Sequence, residues 1–260
     1  MDKYVMSSDG LSIHYQVTGT GTTAIVFVHG WLGNIAWWNT QQKYFADKYT
    51  VVLIDLPGHG QSDKSRKNWS SKQYAADIKA VVDQENSKKA ILVGHSMSGA
   101  YVLKASLYIQ VVKALILVDT LKDLDQPISY SQAEQFMFIP YRKDFKSAVE
   151  NMMPQYLFAK TTPVPIQKQL QSEFLMYDPE LAVKVLEPLY KEDIRETAKL
   201  VQIPVRGINS DYTPTNPDSN KKYFRDYDYV TIKGTGHYPM LEQPDEFNKA
   251  LEKTLLELSV

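Results

Sequence analysis

The chain has 260 residues, 43% of them hydrophobic, enough to bury one sizeable core and carry an inserted segment. A formal net charge of −1 offers no basic footprint for nucleic acid or an anionic membrane surface. With no cysteine, disulfides and thiolate metal sites are excluded, and no apolar run reaches the roughly 20 residues of a membrane span. The first ten residues lack the apolar centre of a signal peptide, so a soluble cytoplasmic protein is expected.

Residues 4–7 and 11–16 alternate around Asp9-Gly10, a hairpin signal. Residues 24–28 form a continuous apolar run, as expected of a parallel strand covered on both faces, and lead into His29-Gly30-Trp31. His29 is read as a loop residue that bonds the backbone. A further strand at 50–55 precedes Asp55-Leu56-Pro57-Gly58-His59-Gly60-Gln61-Ser62. Ser70-Ser71-Lys72-Gln73 is a capping box opening a helix to about Glu85.

The strand expected at 90–94 ends on Gly94, turns through His95-Ser96-Met97 and leaves as a helix. That is the pattern of a nucleophile elbow, in which a strained strand-to-helix turn exposes a serine Oγ above a sheet. Small residues flank such a turn because the strand and helix backbones come close. Ser98 stands where the pattern has its second glycine, with Gly99 one place later. Acyl transfer needs two N–H donors aimed at the developing oxyanion. The amides of Met97 and Trp31 are the expected pair, with Gly30 giving the second loop freedom to turn.

The remaining parts follow in chain order. Strands are expected at 114–118, 204–208 and 228–232, and Pro244 opens a C-terminal helix to about Leu258. The five histidines are His14, His29, His59, His95 and His237. A triad built on this elbow runs serine, acid, histidine along the chain, and only His237 follows Ser96. His237 lies in a glycine-flexed loop beyond a strand, where a general base is expected. Asp211, just past the strand 204–208, is the preferred acid. Asp119, closing the strand 114–118, competes with it, and Asp218 is a more distant choice.

Between Gly99 and Gly207 there is no glycine, and seven of the thirteen prolines fall between Pro127 and Pro188. This reads as an insertion of short helices over the catalytic edge of the sheet. The expected division is a core of residues 1–120 and 192–260 and a helical cap of residues 121–191. Its aromatic and methionine side chains suit an apolar pocket. Phe136, Tyr156 and Met176 from the insertion, with His95 and Trp37 from the core, are the pocket residues expected.

His29-Gly30-Trp31, the Asp55 to Ser62 segment, Gly94 to Gly99, and Gly236-His237 with Pro239 and Gln243-Pro244 resemble the α/β-hydrolase superfamily over nearly the whole chain. The resemblance implies an α/β fold with a mostly parallel eight-stranded sheet flanked by helices, an inserted helical cap, and a structural role for the loop at 55–62. The dehalogenase and epoxide-hydrolase branches carry aspartate at the elbow, where this chain has Ser96. A serine esterase acting on small to medium apolar esters is expected, with Ser96, Asp211 and His237 as its triad. Thioesterase, lactonase or carbon–carbon bond hydrolysis on the same triad stays open, as does a hydrolase-like receptor with slow turnover, because one triad serves many reactions. Neither a metal nor an organic cofactor is expected, and the partner is a small apolar acyl substrate, with the protein a monomer or homodimer.

Overall fold

A computed structural model describes residues 1–259. Eight strands form a single sheet: β1 (Asp2–Met6), β2 (Ser12–Thr18), β3 (Thr23–Val28), β4 (Thr50–Ile54), β5 (Lys89–His95), β6 (Val112–Val118), β7 (Val205–Ser210) and β8 (Tyr227–Ile232). Their order across the sheet is β1-β2-β4-β3-β5-β6-β7-β8. The first two strands make the hairpin expected around Asp9-Gly10, and β2 lies antiparallel on β4. The other neighbours pair in parallel.

Consecutive residues of β3, β5 and β6 are buried, so both faces of the sheet's centre are covered. Helix α1 (Asn39–Phe45) packs with the C-terminal helix Pro244–Glu257, and α2 (Ser71–Glu85) packs with α3 (Met97–Ser106). Ser70 caps α2 by accepting the Gln73 amide at 3.2 Å, and Asn86 ends it in the left-handed region at φ 50°.

Between β6 and β7 the chain is helical, from Tyr130–Ala133 through Ile194–Leu200. Sequence reading treats the prolines here as breaks, whereas they stand both at helix starts and inside helical runs. Pro165 and Pro179 occupy the first or second position of helices entered from extended backbone, where a missing N–H removes no internal bond, whereas Pro140, Pro154 and Pro188 stand inside helical backbone where its hydrogen-bond pattern changes. Two wide π-type turns, Glu134–Phe138 and Ala148–Met152, interrupt the regular helix.

Candidate active site

The sheet brings its chemistry together at the C-terminal ends of β5 and β6. Ser96 directly follows β5 with φ 52° and ψ −121°, and α3 begins at Met97. A non-glycine residue held there stores strain of order 1–3 kcal/mol, which the packed turn must offset. The turn is tight: a Cβ on Gly94 would lie 2.6 Å from the Ser98 carbonyl oxygen. Ser98 fits because its buried hydroxyl donates to the His29 carbonyl oxygen, tying the elbow to the loop after β3. Gly99 is small for another reason, since a Cβ there would come within 2.3 Å of Thr120 Cγ2. The shifted glycine thus faces the exit from β6.

His237 lies between Ser96 and an aspartate. Ser96 Oγ donates to His237 Nε2 at 2.8 Å, and His237 Nδ1–H donates to Asp119 Oδ2 at 2.7 Å. Asp119 follows β6 at φ 46° and is buried. Its other oxygen accepts the Ser210 amide at 2.8 Å, the Ser210 hydroxyl at 2.7 Å and Lys122 Nζ at 2.9 Å. Burial alone would raise the Asp119 pKa. The bond to His237 and the charge of Lys122 outweigh burial and hold the carboxyl far below the ordinary carboxylate range.

Asp211 does not occupy the place expected of it. β7 runs on to Ser210, whose backbone and hydroxyl fill the position beside Asp119. Asp211 therefore lies beyond the strand end, exposed, with its Oδ1 accepting the Gly234 N–H at 2.8 Å. Asp218 is exposed in the short helix Pro217–Asn220 and makes no contact with the site. Lys122, three residues beyond Asp119, is the signal sequence reading missed: its ammonium holds the carboxylate in place.

The loops around the site are fixed in detail. Gly30 lies against the elbow, where a Cβ would be 2.6 Å from His95 Nδ1 and 3.0 Å from Ser96 Cβ. His29 donates from Nδ1 to the Gly30 carbonyl at 2.7 Å, and its Nε2 accepts the Leu56 amide at 3.1 Å. Met97 is the first residue of α3, so its amide has no carbonyl one turn back within the helix. Trp31 is pinned by its indole N–H, which donates to the Ala182 carbonyl at 2.8 Å, and it stacks on Tyr141 at 5.2 Å.

A cavity of about 500 Å³ opens onto Ser96 and His237. Trp31, Phe136 and Tyr156 line it, together with Met137, Tyr141, Met153, Leu186, Leu189 and Tyr190. The first wide turn supplies Phe136 and Met137, and Met153 directly follows the second. Three expected pocket residues lie elsewhere. His95 is buried behind Ser96 and His237, where Nε2–H donates to the His237 carbonyl at 2.8 Å and burial pushes its pKa down to about 3, leaving it neutral. Trp37 is buried one layer deeper, its indole N–H donating to Glu173 Oε2 at 2.8 Å. Met176 is 84% exposed on the outer surface. Leu186, Leu189 and Tyr190 were missed because their helical phase is set by docking of the insertion, which composition does not reveal.

The arrangement supports general-base activation of a serine hydroxyl beside an apolar cavity. Among the described residues, no cluster of three or more His, Asp or Glu side chains is placed to hold a metal ion. No described helix is long and apolar enough to cross a membrane.

A sequence model of the alpha/beta hydrolase family matches residues 25–250. The chain belongs to this family. It is 30% identical over 175 residues to a dihydrolipoyllysine-residue acetyltransferase component of the acetoin cleaving system from Cupriavidus necator. That match covers 65% of this chain but only 43% of the relative, so the chain spans less than half of that protein's length. It is 26% identical to the pimeloyl-[acyl-carrier protein] methyl ester esterase of Wigglesworthia glossinidia brevipalpis, with 92% of this chain and 95% of the relative covered. Among solved structures, an esterase from Exiguobacterium antarcticum superposes with a TM-score of 0.87 at 20% identity. The superposition covers 98% of this chain and all of that one, a likeness of fold.

Proposed function

We propose that this alpha/beta hydrolase is a serine esterase that cleaves carboxylic esters with small to medium apolar acyl groups. One observation carries the reading: the unbroken chain of bonds from Ser96 Oγ through His237 to Asp119, at 2.8 and 2.7 Å, at the floor of an apolar cavity. His237 Nε2 takes the Ser96 proton as Oγ attacks the ester carbonyl carbon. Asp119 keeps Nδ1 protonated and stabilises the imidazolium that forms. The Met97 and Trp31 amides are the assigned donors to the oxyanion, a contribution of several kcal/mol in such sites. The alcohol leaves with the proton from His237. Water then attacks the acyl-enzyme by the same route and releases the acid.

In this reading the insertion acts as a cap whose side chains hold the acyl group. Hydrolysis of a p-nitrophenyl ester series from acetate to laurate tests it. The expected outcome is turnover with a defined chain-length optimum, and a loss of roughly 10⁴-fold or more in Ser96→Ala and in His237→Ala. No turnover at any length by folded protein, together with ligand-dependent thermal stabilisation, would replace the esterase with a receptor.

A further inference from the structure

The loop carrying His237 is held by three backbone N–H bonds, one made directly by the helical insertion and two by a carboxylate that the insertion itself bonds. The His237 amide donates to the Leu157 carbonyl at 2.8 Å. The buried hydroxyl of Thr162 donates to Glu242 Oε2 at 2.7 Å. The same Glu242 oxygen accepts the Gly236 amide at 2.8 Å, and Oε1 accepts the Tyr238 amide at 3.1 Å. One carboxylate thus holds the residues on both sides of His237 and is itself bonded by the insertion. Thr162 is fully used, since its Oγ also accepts the Ala159 amide at 3.0 Å and so braces the turn that presents Leu157. Gly236 fits only without a side chain: a Cβ would lie 2.7 Å from the Leu157 carbonyl oxygen and 2.8 Å from the Ala159 nitrogen.

We infer that Thr162 and Glu242 are positioning residues for His237, and that the 157–162 turn of the insertion is part of the catalytic scaffold. This end of the insertion therefore stays docked through turnover, because lifting it would unseat the base. Neither side chain lines the cavity, although Leu157 on the turn that Thr162 braces does, so their effect falls mainly on proton transfer and only weakly on substrate binding. The inference rests on the esterase reading for its kinetic consequence, but its structural part can be measured separately.

Thr162→Val removes both hydroxyl bonds at nearly constant volume, while Thr162→Ser keeps them. For a p-nitrophenyl ester, Thr162→Val is expected to lower kcat about tenfold with KM within about twofold of wild type, and Thr162→Ser to recover most of the loss. Amide hydrogen exchange at Gly236, His237 and Tyr238 is expected to quicken about tenfold in Thr162→Val alone. Should Thr162→Val not fold, Glu242→Gln, which sets an NH₂ against one of the donors, is expected to move both readouts in the same direction. Unchanged kcat, unchanged exchange, or equal losses in the Val and Ser variants would overturn the inference. A wild-type protein without ester turnover would instead refute the esterase reading, and the exchange measurement would still decide whether the latch exists.

Discussion

Asp119 meets two demands with one side chain. One oxygen receives His237 and the other receives three donors, two from Ser210 and one from Lys122. Such a carboxylate cannot rotate, and it fixes the imidazole tautomer with it. Asp119→Asn keeps the shape but offers an NH₂ to one side, so the imidazole loses its acceptor or its orientation. On a p-nitrophenyl ester, Asp119→Asn is expected to lower kcat by about 10³- to 10⁴-fold. Asp211→Asn, an exposed change that still leaves an oxygen for Gly234, is expected to stay within about threefold of wild type. The reverse ranking would return the acid to the end of β7. Sequence reading weighed both aspartates because both end strands. The choice turns on β7 running through Ser210 and on Lys122 reaching back across the strand ends, neither of which local pattern reveals.

At the scale of elements, the strands and α2 were legible because their signals are local. Continuous apolar runs mark β3, β5 and β6, and Ser70 sits three residues before the glutamine whose amide it caps. The hairpin was legible too, but its internal charge was not. His14 is buried in β2, with Nδ1 2.8 Å from Asp55 Oδ2 and Nε2 3.0 Å from Asp2 Oδ1. The Asp55 bond, aided by Asp2 and opposed by burial, raises the His14 pKa above its ordinary 6.5. A raised folded-state value means the pair stabilises fully below the unfolded value and fades as pH rises through the folded one. The Tm advantage of wild type over His14→Gln is therefore expected to be larger at about pH 6 than at about pH 9. An advantage that held constant or grew with pH would show that His14 acts only through packing.

At the scale of the whole molecule, the cavity belongs to neither part alone, since Trp31, Ser96 and His237 come from the core and its other walls from the insertion. That explains the uneven reading of the pocket. Phe136 and Tyr156 reach it, while Met176, chosen by composition, faces outward. A space of about 500 Å³ also sets a limit on acyl length. Met153 is buried at the wall, so Met153→Trp adds bulk inward, and the optimum of the p-nitrophenyl series is expected to move to shorter acyl chains. An unmoved optimum would place the acyl group elsewhere.

The glycine-free, proline-rich composition of the insertion has a thermodynamic consequence. Its helical runs are short and irregular, such as residues 130–143 and 145–157, each interrupted by a wide π-type turn, and runs of this length are marginal in isolation. Proline restricts φ in the unfolded chain, and the absence of glycine removes its most permissive positions. The unfolded ensemble of this segment is correspondingly narrow, so ordering it costs less conformational entropy than its irregular outline suggests. Fragments this small can then wall a binding site, and their side chains are open to replacement while the backbone path stays set by its prolines.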